Sequence, residues 1–252
     1  MSAKVDRFLP LFGVAGLIFV WYVGYWIRIV DPVLLPSPDA TLVALWKGMA
    51  GGALLHDFTQ TVIRTFAAIA VAGVVAIPLG IVLGASERLY RSVEFVVDFF
   101  RSTPASAMFP LFLVIFGVGD ATKIYVASFG AALVILFNVA YGVMNARKTR
   151  ILAAKSMKAS SIRVFRDVIF FETLPQTFIG LRTAVSLALV VVIVAEMFIG
   201  ASAGMGHRII DAQISYQLTD MYGSILVAGA MGYGLNLLLL LLERRLVHWS
   251  GH

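Results

Sequence analysis

The chain has 252 residues, 60% of them hydrophobic and 13% charged, with a formal net charge of +6 and a mean hydropathy of +0.91. A water-soluble domain carries about 25% charged and 45–50% apolar residues, so a soluble core cannot absorb this excess and lipid must be the solvent for much of the chain. The sequence contains no cysteine, which excludes disulfides, thiolate metal sites and thiol redox chemistry.

Apolar runs of about 20 residues are the unit that crosses a bilayer. Six are legible, at residues 9–29, 59–83, 93–117, 124–143, 177–199 and 222–242. They are continuous, without the ten-residue alternation of a barrel strand, so the expected fold is an all-α membrane protein with six transmembrane helices. The first run follows Lys4 and Arg7, but it is long and no small-residue cleavage site follows it, so it reads as a retained helix rather than a signal peptide. Trp21, Tyr22, Tyr25 and Trp26 mark its outer end as an interfacial aromatic belt.

Next comes an outer segment, residues 31–57. Pro32, Pro36 and Pro38 keep its start extended. Leu42, Leu45, Trp46 and Met49 then recur at i, i+3, i+4 and i+7, which predicts a short amphipathic helix on the outer membrane surface, ended by Gly51-Gly52. Residues 1–57 thus form a first helix with an outer segment, and residues 58–252 a core of five spans. In the second span Gly80-x-x-x-Gly84 is a close-packing signal. Arg101-Ser102-Thr103-Pro104 interrupts the third.

Orientation follows from Lys and Arg. With six alternating spans, Lys4, Arg7, Arg88, Arg91, Arg147, Lys148, Arg150, Lys155, Lys158, Arg163, Arg166, Arg182, Arg244 and Arg245 fall on one side. Arg28, Lys47, Arg64, Lys123 and Arg208 fall on the other. The asymmetry places both termini in the cytoplasm. The positive charge is therefore a topology and lipid-headgroup signal, not one for nucleic acid.

The largest cytoplasmic loop, residues 145–171, is basic. Good helix formers and small residues from Ile151 to Lys158 predict a short helix. Ser160 and Ser161 are N-cap candidates for a second, with Ile162, Phe165 and Ile169 along one face. Such a pair either docks a soluble engine or connects two spans, and spacing alone leaves both open.

The order and spacing of several short pieces go further. From Leu34 to Leu246 the chain carries Leu35-Pro36-Ser37-Pro38, Ile77-Pro78-Leu79-Gly80, Arg101-Ser102-Thr103-Pro104, Phe116-Gly117-Val118-Gly119, Ala195-Glu196-Met197 and Gly204-Met205-Gly206. With Ala153-Ala154 in the basic loop, it resembles the permease subunits of type I ABC importers (MetI-like architecture) for sulfonates, taurine, nitrate and related solutes. The resemblance implies a multi-pass subunit of the bacterial inner membrane that moves a small solute inward by alternating access. It implies as partners a cytoplasmic ABC ATPase dimer, an extracytoplasmic solute-binding protein and a second permease copy, in a homodimer or a heterodimer. It also implies a coupling surface at Leu152, Ala153, Ala154, Ser156, Met157, Lys158, Ala159 and Ser160. The chain has no G-x-x-x-x-G-K-[ST] phosphate loop, so ATP hydrolysis is expected on the partner; no cofactor, metal or catalytic residue is expected here. Three positions depart from the family loop E-A-A-x-x-x-G…L-P: Leu152 replaces the Glu, Lys158 the Gly, and Phe170-Phe171 the Leu-Pro. Lys in place of Gly predicts an altered turn.

An ionisable group inside a span costs about 2.5–3.5 kcal/mol on insertion scales and so faces the bundle interior. Glu196, Arg101 with Ser102 and Thr103, and Asn138 are the path candidates; Glu196 and Asn138 fit helix packing as well, and Asp98 and Arg101 are spaced to pair. Two rival readings remain. A secondary carrier without an ATPase is one, although no internal repeat is visible. An intramembrane serine protease is the other, from Gly200-Ala201-Ser202-Ala203-Gly204, which has nucleophile spacing. Its base would have to be one of His56, His207, His248 or His252, and none lies inside a span.

Overall fold

The computed structural model describes residues 9–247, which form helices with no strand among them. Lys4, Arg7, His248 and His252 lie outside the described residues. In chain order the helices are α1 (Leu9–Trp26), α2 (Pro38–Ala50), α3 (Ala53–Ala85), α4 (Glu87–Ser102), α5 (Phe109–Phe116), α6 (Asp120–Met144), α7 (Lys148–Ser156), α8 (Ser161–Val164), α9 (Phe170–Phe198), α10 (Met205–Ile214) and α11 (Leu218–Leu246). A 3₁₀ turn at Ala105–Met108 precedes α5, and a π-helical turn at Phe165–Ile169 joins α8 to α9.

α3, α6 and α9 make the central bundle, and their contact faces are built from small residues. Ala68, Ala72 and Ala76 of α3 meet Ala127, Ala131, Ile135 and Val139 of α6, and Ala184, Ala188, Val192 and Ala195 of α9, all with essentially no solvent exposure. Lipid tails are as apolar as leucine, so association inside a membrane rests on close backbone approach rather than on hydrophobic burial. Gly80 and Gly84 provide it: a Cβ on Gly84 would meet the carbonyl of Ala140 at 2.6 Å, and one on Gly80 the Cβ of Val139 at 2.8 Å. α11 packs on the other side of α9, where Val185, Leu189, Met205, Met231 and Leu235 form a second cluster.

Four helical stretches are long and apolar enough to cross a membrane: α3, α6, the continuous helix 161–198 and α11. The third expected span, 93–117, is not one helix. α4 and the segment Ala105–Phe116 meet at 89°, because Pro104 cannot donate a backbone hydrogen bond and holds Thr103 in an extended conformation (φ −82°, ψ 123°). Counting that bent pair as one span gives five; α1 is a shorter apolar helix whose side chains from Leu11 to Val20 are exposed.

The outer segment folds as read, but another face packs. Ser37 caps α2 by accepting from the N–H of Ala40, Pro38 opens the helix, and Gly51 ends it. Thr41 is buried and Leu45 partly so, against Gly223 of α11, whereas Leu42, Trp46 and Met49 point outward. Trp21 donates to the carbonyl of Pro36 (3.0 Å) and Tyr222 to that of Leu34 (3.2 Å), which ties α1 and α11 to this segment.

Replacing Gly84 by Leu is expected to destabilise the bundle by at least the roughly 1–3 kcal/mol of an overpacked core, because a backbone carbonyl cannot retreat. Thermal unfolding in detergent checks this; an unchanged midpoint would show that the α3–α6 approach is not tight.

Candidate functional site

The basic loop, residues 145–171, is a helix–turn–helix. α7 ends with the N–H of Ala159 donating to the carbonyl of Ala154 (3.1 Å) and that of Lys158 to Lys155 (2.9 Å). This is the Schellman arrangement, which places its C′ residue in the left-handed region. Lys158 is that residue, at φ 59°. The expectation of an altered turn is therefore corrected: lysine adopts the backbone conformation that the family's glycine would take, at a cost of about 1–2 kcal/mol. Ser160 then caps α8 by accepting from the N–H of Arg163 (3.4 Å). The face read along the second helix does not hold together: Ile162 is 80% exposed, whereas Phe165 and Ile169 are half-buried and Val164 is buried, since the π turn at Phe165–Ile169 departs from the 3.6-residue period.

An ion-pair cluster fastens the loop to α9. Glu172 of α9 accepts a hydrogen bond from Arg150 and faces Arg147 at 3.8 Å. Beyond it, Leu152 (63% exposed), Met157 (84%) and Ile162 stand out from a surface carrying Lys155, Lys158, Arg163 and Arg166. Ala153, Ser156 and Ser160 are exposed as well, and Ala154 and Ala159 are half-buried. The eight predicted coupling residues thus lie on one compact feature.

At the opposite end of the bundle, Glu196 of α9 is buried, with 1% exposure. Its carboxylate accepts from Arg64 Nη1 (2.7 Å), from the Thr61 hydroxyl and from the backbone N–H of Gly206 (2.9 Å). Arg64 also reaches Asp120 and the carbonyl of Ala203, and Asp120 in turn pairs with Lys123. Three successive N–H groups at the start of α10 are captured from α3 and α9: Gly204 by Asp57, Met205 by Thr61 and Gly206 by Glu196. These groups have no partner within their own helix. Arg208 bridges Asp57 and Asp220 beside them. Charge counting had assigned Arg64 to the outer surface; the signal that could have found it was its position inside an apolar run, which demands a buried partner.

The other predicted path residues separate. Asn138 donates to the carbonyl of Val134, accepts from Gln176 and packs on Gly180, so it joins α6 to α9. Arg101 pairs with Asp98 (3.2 Å) and lies over the ring of Phe137, with its side chain about half exposed. Ser102 is exposed and Thr103 half-buried beside it. Ser202 and His207 share an outer cleft, but no hydrogen bond joins them, and His207 faces Asp211 at 3.2 Å. That arrangement supplies no activated nucleophile.

Three variants probe these ends. Arg64→Ala strands the Glu196 carboxylate and is expected to cost about 3–5 kcal/mol, the penalty of an uncompensated buried charge; Glu196→Gln, which keeps an acceptor and a neutral partner, is expected to cost less. Chemical unfolding in micelles ranks the two, and the reverse order would contradict the network. Lys158→Gly is expected to stabilise the α7–α8 turn by about 1 kcal/mol, read as slower amide exchange at Ala159; faster exchange there would be inconsistent with a strained lysine.

Comparison with known proteins gives this architecture a family. The profile described as binding-protein-dependent transport system inner membrane component matches residues 76–249. A probable ABC transporter permease protein of Brucella abortus is 31% identical over 244 residues, covering 94% of this chain and 96% of its own length. The taurine transport system permease protein TauC of Escherichia coli is 27% identical, covering 94% of this chain and 88% of its own. The bicarbonate transport system permease protein CmpB of Synechococcus elongatus is 26% identical, with 96% and 90% covered. A solved inward-facing MetNI methionine ABC transporter shares the fold, with a TM-score of 0.66 at 22% identity over 79% of this chain and 97% of that one. With its long apolar helices around a small-residue bundle and a protruding helical loop, the chain belongs to the inner membrane permease subunits of binding-protein-dependent ABC importers.

Proposed function

We propose that this permease subunit is driven by a separate cytoplasmic ABC ATPase gripping the α7–α8 loop, and that it works as a dimer of permeases fed by an extracytoplasmic solute-binding protein. The observation that carries the reading is the exposed apolar knuckle of Leu152, Met157 and Ile162 in a basic surround. Apolar side chains exposed in water on a structured loop mark a docking surface, and Lys155, Lys158, Arg163 and Arg166 suit an acidic rim on the partner. In this assignment both termini are cytoplasmic, residues 1–57 anchor the subunit at its edge, and residues 58–252 form the transporting core. The chain needs no cofactor, and ATP is bound by the partner.

Transmission follows from covalent continuity. The helix 161–198 runs unbroken from the turn after α7 to the Glu196 network, about 57 Å at 1.5 Å per residue. Displacement of the loop on ATP binding therefore moves a rod whose far end holds the start of α10. Alternating access then requires only that the ATPase bind one position of that rod better than the other. Of the predicted path residues, Arg101 and Ser102 suit a water-filled route by their exposure beside the Thr103-Pro104 bend; Glu196 and Asn138 are held in packing contacts and act as ties between helices. The transported solute is an inward-moving small molecule delivered by the binding protein.

Co-purification of the full chain with the ABC ATPase encoded nearest to it tests the docking. Wild type is expected to retain the ATPase through size exclusion in detergent. Leu152→Asp/Met157→Asp and Ala154→Arg are each expected to lose it while the permease elutes unchanged. Retention by all variants would move the docking surface elsewhere, and no retention by wild type would remove the ATPase from the reading.

A further inference from the structure

α4 presents a face that the rest of the chain does not use. Tyr90, Val93, Val97 and Phe100 are half-buried and form the side laid against the bundle, where Phe100 meets the ring of Phe129 on α6 edge-on at 5.8 Å. No residue of the helix is fully buried. Glu87, Arg91, Glu94, Asp98 and Arg101 recur at i, i+4, i+7, i+11 and i+14, which at 3.6 residues per turn sets them in one narrow stripe along the helix. All of them are exposed. Glu87 pairs with Arg91 (2.6 Å) and Asp98 with Arg101 (3.2 Å), each within the helix, and Glu94 between them forms no hydrogen bond or ion pair among the described residues. Arg101 also lies over the ring of Phe137 (4.6 Å), but the stripe makes no ion pair to another helix among the described residues. Pairs so exposed stabilise a helix little, so exchanging one partner for another costs little. A stripe of charges is not a lipid-facing arrangement; such groups face water or another polypeptide.

Read in reverse, the stripe carries opposite charges at matching places: about Glu94, Arg91 mirrors Asp98 and Glu87 mirrors Arg101. We propose that α4 packs on α4 of a second copy of this chain, antiparallel across a two-fold axis at Glu94, with Arg91 against the partner's Asp98 and Glu87 against the partner's Arg101. This rests on the dimer reading above and names the face that pairs. In antiparallel register the two members of each pair lie at one height to within about 1.5 Å, the rise of a single residue. A two-fold axis uses the same patch on both subunits, so each pair forms twice. The axis also keeps Phe95 and Phe99, exposed beside the stripe, on one side of the contact in both copies and the two bundles on the other. The pair of Glu87 with Arg101 falls at the rim, which leaves Arg101 at the water-facing edge of the contact. Only Glu94 meets its own kind, at the axis itself, where the flanking pairs offset the repulsion.

The chain lacks cysteine, so Glu94→Cys adds a single thiol to each copy. Helices packed about 8–10 Å apart bring facing Cα atoms within disulfide reach. In proteoliposomes containing the full chain and its ATPase, copper phenanthroline is expected to link Glu94→Cys into dimers about tenfold faster than Phe95→Cys, which is turned about 100° away on the helix. On the Glu94→Cys background, Arg91→Glu and Asp98→Arg each set like charges together twice and are expected to slow linking by about tenfold or more. The two together are expected to restore the rate. Within one helix that combination breaks both existing pairs, so rescue can arise only between copies. The comparison of positions 94 and 95 needs no charge reversal and stands if the reversed variants fail to fold. Slower linking by the double variant than by either single one would return the stripe to pairs within its own helix. Linking no faster at 94 than at 95 would move the contact to another face. Reaction of Glu94→Cys with a charged maleimide in place of linking would assign the stripe to water. Any of these outcomes overturns the proposal. Permease dimers that persist alongside them, by mass after detergent extraction, would show that the dimer reading survives; monomers throughout would remove both.

Discussion

The end of the bundle opposite the basic loop depends on one buried ion pair. Glu196 and Arg64 are removed from water and from lipid headgroups, a cost of several kcal/mol per ion that their mutual attraction alone does not reliably offset. What makes the pair tenable is complete satisfaction of both groups. The carboxylate receives a guanidinium, a hydroxyl and a backbone N–H, and the guanidinium spreads over two carboxylates and a carbonyl. The same side chains satisfy the open N–H groups of α10, whose dipole also favours the carboxylates placed there. Glycine is required at 204 on two counts: φ is 135°, and a Cβ would lie 2.5 Å from the Glu196 carboxylate. The motifs Ala195-Glu196-Met197 and Gly204-Met205-Gly206, separate in sequence, are the two halves of one clasp.

The clasp sits on the same rod as the basic loop. Between them the α3–α6–α9 bundle is packed backbone to backbone through alanine and glycine, which leaves little freedom for one helix to slide independently. Departures from regular α-helix are few: the π turn within the continuous helix 161–198 and the 89° bend at Thr103-Pro104. An apolar cavity of about 220 Å³ lined by Phe165, Phe170, Leu174 and Phe178 beside Ile77 and Ile81 adjoins the π turn.

Much of this was legible in the sequence, because hydropathy reports burial in lipid directly. The second, fourth, fifth and sixth runs emerge as helices that extend the expected bounds by a turn or two, and Gly80 and Gly84 pack as their spacing says. The interruption read at Arg101-Ser102-Thr103-Pro104 is real, but its size was not legible: mean hydropathy is blind to direction, and Pro104 leaves composition unchanged while turning the chain by 89°. Arg64 was missed because charge counting treats every basic residue as a surface marker, although the rule applied to Glu196 holds for any ionisable group in an apolar run. Lys158 shows the limit of reading a departure from a motif. Its side chain differs from glycine, yet the hydrogen bonds closing α7 fix the backbone, and lysine accepts the strain. Ile162, Phe165 and Ile169 were placed on one face by a period of 3.6 that the π turn does not keep.

The charged sites along the helices fall into two kinds. At the clasp each charge is saturated and closed by backbone, so a passing molecule would have to break a structural tie to reach it. Asp98, Arg101 and Arg182 remain partly open: Asp98 and Arg101 pair with each other at the surface, whereas Arg182 leans on Glu243, which is largely buried behind it. An exposed pair of this kind contributes little to stability, and a partly buried one ties two helices together.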